Sequence, residues 1–203
     1  MEEFWAIILA AGESRRMGFP KMLLEFNGKT MIENVIANVT DSKVNHIMVV
    51  LGAGWNEIVE RIGKLDVKHC YNENYKTGML SSVKCGFRNL PSEYKAALVF
   101  QGDQPLITPN AINTVIEAYL SSGKGLVIPV YKCKRGHPLL VDKKYKDEIF
   151  NISSDEGLHS LSDKFSNDVL EVDTSESGIL RDFDTFDEYN EGIIKLYNYG
   201  RDN

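Results

Sequence analysis

The chain has 203 residues, 43% of them apolar, with a formal net charge of −6. That length and apolar content can bury a full core, and one domain over residues 1–203 is expected. The acidic balance excludes a broad nucleic-acid-binding face, so any basic site must be local, and no apolar run is long enough to cross a bilayer. Trp5-Ala-Ile-Ile-Leu9 reads as a buried strand, entered without the basic segment and cleavage site of a secretory leader. A cytoplasmic location is therefore expected. The strand breaks at Ala10, Ala11 and Gly12, residues too small to keep a ligand from the backbone. A Gly-containing turn leaving a parallel strand can expose successive N–H groups to phosphate oxygens. Arg15, Arg16 and Lys21 follow, cations suited to neutralising a triphosphate. The ordinary alternative is a small-residue turn with two solvated arginines. The loop matches neither the dinucleotide fingerprint nor the Gly-Lys-Ser/Thr phosphate loop.

Met22–Phe26 reads as a short extended piece closed by the Asn27-Gly28 turn, and Thr30 as the cap of a helix from Met31 to about Val39. His46–Leu51 is a second buried strand. The Gly52-Ala53-Gly54 that follows is a turn into a helix over Trp55–Ile62, or else a further phosphate loop. Val67–Tyr71 is a third strand. Beyond it, a loop runs through Gly78 into a helix from Met79 to about Asn89, with Ser81 and Ser82 in the first turn. There they either cap the helix or reach a ligand. Lys95–Gln101 is a fourth strand, leading into Gly102-Asp103-Gln104-Pro105. A carboxylate just past the C-terminal end of a parallel strand stands where open α/β sheets bind ligands, and its hard oxygens suit magnesium. A turn Asp before Pro is the competing reading.

Thr108-Pro109 opens a helix to about Ser121, and Leu126–Tyr131 is another strand. Lys132, Lys134 and Arg135 precede Gly136-His137-Pro138; a lone histidine here is either a structural hydrogen bonder or part of a site. Lys144–Phe150 is a short helix, Val169–Val172 the last strand and Phe186 to about Tyr197 a terminal helix. Asp182 and Asp184 alternate along an extended segment and face the same way. One of them is a candidate second metal carboxylate, Asp182 being preferred and Asp184 assigned to capping the final helix. Cys70, Cys85 and Cys133 are odd in number, with no Cys-x-x-Cys, so buried or half-buried reduced thiols are expected.

The opening loop, Leu9-Ala-Ala-Gly-Glu-Ser14-Arg-Arg16-Met-Gly-Phe-Pro-Lys21, resembles the Leu-Ala-Ala-Gly-x-Ser-x-Arg-Met-Gly-x-x-Lys signature of the MobA-like nucleotidyltransferases. These enzymes transfer a nucleoside monophosphate to a phosphorylated acceptor. Residues 72–82 are similar to the family's Asn-x-x-x-x-x-Gly-Met-x-x-Ser segment, which lies against base and sugar, and Gly102-Asp-Gln-Pro105 to its metal-holding motif. Arg135-Gly-His-Pro138 resembles the molybdenum-cofactor cytidylyltransferase branch on its acceptor side. So does Leu180-Arg-Asp-Phe-Asp-Thr185, similar to Asp-Ile-Asp-Thr. Ser154–His159 is a looser likeness, with Leu158-His159 where that branch has Ala-Arg.

The resemblance implies a three-layer α/β/α sandwich, Rossmann-like, with a mostly parallel twisted sheet of the nucleotide-diphospho-sugar transferase type. It implies Lys21, Arg16 and Asp103 as catalytic residues and Leu9, Ala10, Ala11, Gly12, Ser14, Arg15, Lys21, Asn74, Gly78 and Ser82 as nucleotide contacts. Asp103 and Asp182 would bind Mg²⁺, and Arg135 and His137 the acceptor. Ala11 stands where the guanosine branch has glycine, and with Arg135-Gly-His-Pro138 added the resemblance implies CTP and a molybdopterin acceptor, with a molybdoenzyme receiving the product. The same fold acting on a sugar- or polyol-phosphate with another nucleoside triphosphate is an alternative. So is a non-catalytic nucleotide- or cofactor-binding protein, against which intact Lys21 and Asp103 weigh.

Overall fold

The structure, a computed structural model, describes the backbone of residues 3–199 and the side chains through residue 192. All seven residues of β1 (Phe4–Ala10) are buried. Lys21–Leu23 forms a 3-10 turn where an extended piece is expected, and the strand is confined to β2 (Glu25–Phe26). That strand makes a hairpin with β3 (Lys29–Thr30), whose turn takes positive φ at Asn27 and Gly28. Thr30 caps α1 (Met31–Thr40) in a reciprocal box with Glu33. β4 (His46–Leu51), α2 (Trp55–Ile62), β5 (Lys68–Tyr71), α3 (Met79–Arg88), β6 (Ala96–Gln101) and α4 (Pro109–Ser122) follow close to the expected limits. Pro109 stands at the start of α4 and Thr108 accepts the Ala111 N–H. The remainder is β7 (Leu126–Tyr131), β8 (Lys134–Arg135), β9 (Leu139–Asp142), α5 (Lys146–Asn151), α6 (His159–Lys164), β10 (Val169–Asp173) and α7 (Phe186–Tyr199).

The main sheet runs β10-β7-β9-β6-β1-β4-β5, with β8 folded back on β7. Its pairs are parallel except those made by β9 and β8. β9 has no sequence expectation. Only four residues long, it shows no periodicity, and it becomes a strand because β6 and β7 both offer it an edge. Cys133 is exposed rather than buried; Cys70 is half-buried and Cys85 buried.

Successive side chains of β1 point to opposite faces and divide the core in two. Phe4, Ala6 and Ile8 pack with α1, α2 and α4, whereas Trp5, Ile7 and Leu9 pack with α3, α5 and α6. Gly86 lets α3 lie directly on the sheet, because a Cβ there would sit 2.5 Å from Ile7 Cγ2. Ile7 is fully buried in a central strand and has no room to yield. Gly86→Ala is therefore expected to lower the unfolding free energy by about 1–3 kcal/mol, measured by denaturant titration.

Candidate active site

The C-terminal ends of β1 and β6 open onto a cleft of about 440 Å³ lined by residues of the opening loop. The loop is folded on Ser14, whose carbonyl accepts the N–H groups of Met17 and Gly18 at 3.0 and 3.1 Å. Its hydroxyl accepts the Lys21 N–H at 3.1 Å. Ala53 N–H donates to the Ala11 carbonyl at 3.1 Å. A trans peptide points its N–H away from its carbonyl, so the Gly12 N–H faces away from the α2 turn. Gly52 makes this approach possible, since a Cβ there would meet Ala11 O at 2.7 Å and Tyr75 Cβ at 2.8 Å. The 52–54 turn thus supports the loop from behind and is not among the residues lining the cleft.

Lys21 reaches across to the end of β6, where its ammonium bonds Asp103, and to Asp184 Oδ1 at 2.9 Å. Arg16 joins from the rim at 2.6 Å from Asp184 Oδ2, and Arg15 pairs outward with Glu13. Burial alone would lower the Lys21 pKa, but Asp103 and Asp184 outweigh it and raise it. Burial works against the Asp184 carboxylate, yet Lys21 and Arg16 hold it below the usual carboxylate range. Asp182 lines the same cleft, and its carboxyl is raised by burial and by the charges of Asp184, Asp103 and Glu188. The assignment of Asp184 to helix capping is corrected: Thr185 Oγ1 accepts the Glu188 N–H, and the Asp184 side chain is committed to the cleft.

Leu9, Ala11, Gly12, Arg15, Arg16, Lys21, Gly78, Ser82, Asp103 and Asp182 line the cleft. Ala10 is fully buried beneath it, and Ser14 shapes the loop. Asn74 is not a lining residue. Counted back from Gly78, the asparagine of the family segment is Asn72. That residue is buried and donates to Ser81 Oγ at 2.8 Å and Ser82 Oγ at 3.0 Å. Tyr75, Lys76, Met79 and Gln101 also line the cleft without any expectation from sequence; Lys76 is legible there only as one more surface cation.

Beyond Leu9 and Met79 lies a second chamber of about 280 Å³, whose wall includes Val83, Ile128, His137, Leu158 and His159. Gln101 Nε2 and His137 Nε2 are 3.3 Å apart and join the two spaces. Burial lowers the His137 pKa despite the opposing Asp103 charge, so the imidazole is neutral at pH 7 and adds no cation. Arg135 lines this chamber while pairing with Glu171 at 2.7 Å.

The sequence profile of the MobA-like NTP transferase domain family matches residues 6–169. The chain belongs to the MobA-like NTP transferases. Its relatives include the molybdenum cofactor cytidylyltransferase of Escherichia coli K12, 28% identical over 90% of this chain and 92% of that one. A probable molybdenum cofactor guanylyltransferase of Methanosarcina mazei is 30% identical over 88% of this chain and 80% of that one. The bifunctional protein GlmU of Staphylococcus haemolyticus is 34% identical over 58% of this chain, which spans 26% of that relative's length. Among solved structures, Rv0371c of Mycobacterium tuberculosis superposes with a TM-score of 0.85 over 95% of this chain and 98% of that one, at 20% identity. Its manganese complex superposes at 0.77 over 95% and 98%, at 19% identity.

In this MobA-like transferase the opening loop, the β6 turn and the segment before α7 are tied together by the Lys21 ammonium. Among the described residues no helix is long and apolar enough to cross a membrane. Because Asp184 has a lowered folded-state pKa, its contribution to stability is complete above the ordinary aspartate value of about 4. It disappears as pH falls through the lowered value. Asp184→Asn should therefore depress the melting temperature at pH 7, and the difference should shrink on acidification below pH 4, as followed by calorimetry.

Proposed function

We propose that this protein transfers CMP from CTP to the phosphate of molybdopterin and releases pyrophosphate, with magnesium. The observation that carries this reading is the meeting of Lys21, Asp103 and Asp184 under the Gly12 loop, at the C-terminal edge of β1 and β6. An acceptor phosphate oxygen attacks the α-phosphorus, the bond to the bridging oxygen breaks, and pyrophosphate leaves. That nucleophile is already ionised at neutral pH, so no general base is needed. The barrier lies in the approach of two anions and in the charge on the leaving group, and positioned positive charge lowers it.

The donor set fits a divalent cation. Asp103 and Asp182 offer hard carboxylate oxygens, and burial, followed by the charges of Asp184, Asp103 and Glu188, raises the Asp182 carboxyl, a cost that a bound cation would offset. Among the described residues no group of three or more His, Cys, Asp or Glu side chains is placed to hold a metal. Magnesium takes few protein ligands and completes its shell with water and phosphate oxygens, so two carboxylates can seat it. When bound, it supplies charge neutralisation and alignment of phosphate oxygens; the manganese complex of the mycobacterial neighbour supports a divalent ion. Gly12 N–H, Arg15 and Arg16 hold the outer phosphates. Lys21 holds the α-phosphate, while Asp184 keeps the ammonium directed into the cleft. Gly78 and Ser82 lie along base and sugar.

The relatives include both a cytidylyl- and a guanylyltransferase, so the base rests on Ala11, and Arg135-Gly-His-Pro138 supports the same branch. The second chamber favours the acceptor. Its wall is mainly aliphatic, with Leu9, Val83, Ile128 and Leu158, and its few polar groups, among them His137, His159 and Ser162, suit a flat ring system with polar edges better than a polyol, which needs a polar partner for each hydroxyl. Leu158 and His159, which depart from the branch pattern, both belong to that wall.

Pyrophosphate release should be seen with CTP and molybdopterin together, and not with GTP, ATP or UTP. Lys21→Ala should slow it by about 10²-fold or more, and Asp103→Ala should abolish its metal dependence. Release with another nucleotide would overturn the cytidine assignment. No release from protein that still binds nucleotide would favour a binding protein.

A further inference from the structure

Asn72 belongs to neither the loop nor the ion cluster, yet it is 4% exposed and uses its whole side chain. Its Oδ1 accepts the backbone N–H of Asn74 at 3.0 Å. A backbone N–H can only donate, so this contact settles which end of the amide is oxygen. The NH₂ group is therefore the one that meets Ser81 Oγ at 2.8 Å and Ser82 Oγ at 3.0 Å, and both hydroxyl oxygens must act as acceptors. Ser81 spends its own proton locally, on the carbonyls of Asn74 and Gly78 at 2.9 and 2.8 Å. Ser82 differs. Among the described residues its hydroxyl makes only the contact with Asn72, as acceptor, and it lines the nucleotide cleft. Its proton is left to point at whatever occupies that cleft.

We propose that Asn72 is a positioning residue that sets the polarity of the cleft wall. It holds Ser82 so that the hydroxyl donates to an acceptor atom on the nucleoside part of the bound triphosphate. This rests on the transferase reading above and adds to it a residue that touches no substrate. A buried amide in this orientation occupies one of the two Ser82 lone pairs and, being itself a donor there, leaves the Ser82 proton free for the cleft. The wall then favours a nucleoside edge that offers oxygen or unprotonated ring nitrogen, since a donor group at the same point leaves the Ser82 proton without an acceptor.

The test is calorimetric titration of the full chain, with magnesium, against CTP, GTP, UTP and ATP; the tightest is used throughout. Inorganic tripolyphosphate serves as the probe without a nucleoside. In Asn72→Asp the carboxylate still accepts from Asn74 but turns both serine hydroxyls toward itself, which withdraws the Ser82 proton from the cleft. N72D and S82A should each weaken nucleotide binding about tenfold, the worth of one hydrogen bond. The double variant should be no weaker than N72D alone, and tripolyphosphate affinity should not change. In turnover assays the loss should appear in KM and leave kcat near the parental value. Additive losses, an equal loss for tripolyphosphate, or parental nucleotide affinity in either single variant would each overturn the proposal. If N72D does not fold, N72A replaces it: it frees the Ser82 hydroxyl, so a several-fold loss that S82A does not deepen is expected, and an additive loss overturns the idea. A parent chain that binds none of the four nucleotides overturns the transferase reading itself, which is distinct from a parent that binds and a variant that binds equally well.

Discussion

An ammonium removed from water has to meet negative charge at close range, and Lys21 meets it from two directions. Asp103 arrives on the turn after β6, and Asp184 on the segment between β10 and α7. The three groups lie far apart in the chain, so the contact closes only when β1 and β6 are side by side and the C-terminal segment has returned across the sheet edge. With side-chain exposures of 12% for Lys21 and 7% for Asp103, the pair is shielded from the solvent that weakens surface ion pairs. Breaking either half would leave charge stranded in the cleft floor.

The rest of the cleft is backbone geometry held by small residues. Ala11 can turn its carbonyl onto Ala53 only because Gly52 leaves room, and that turn faces the Gly12 N–H away from the α2 side. On the facing wall, the amide of Asn72 ties the end of β5 to the first turn of α3, fixing two serines at once. Both devices replace flexible side-chain contacts with rigid ones. Preorganisation of that kind is what phosphoryl chemistry requires of a protein, since positioning and charge do most of the work.

Charge is distributed unevenly between the two spaces. The cleft gathers cations and carboxylates in balanced number, while the chamber beyond Leu9 and Met79 is walled mainly by aliphatic groups, with the neutral His137, His159, Ser162 and an arginine already paired with Glu171. The charged cleft and the more apolar chamber are thus separated by the β1 terminus, with Gln101 and His137 in contact across the boundary.

Local pattern determines much of this protein. The β-branched runs, the small-residue break after Leu9, the Thr30 and Thr108 caps and the Asp103 turn are written in neighbouring residues, because burial, capping and turn chemistry act over a few positions. What local pattern does not contain is who meets whom. Leu139-Leu-Val141 is a strand only because two neighbours offer it edges. Asp184 has the sequence position of a helix cap, but Lys21 approaches it from the other end of the chain and claims its carboxylate. Asn72 is marked by its spacing from Gly78, but only the fold shows that its amide is buried against Ser81 and Ser82. Tertiary structure alone decides these cases, because a carboxylate, an amide or a short apolar run takes its role from the partner that the fold delivers to it.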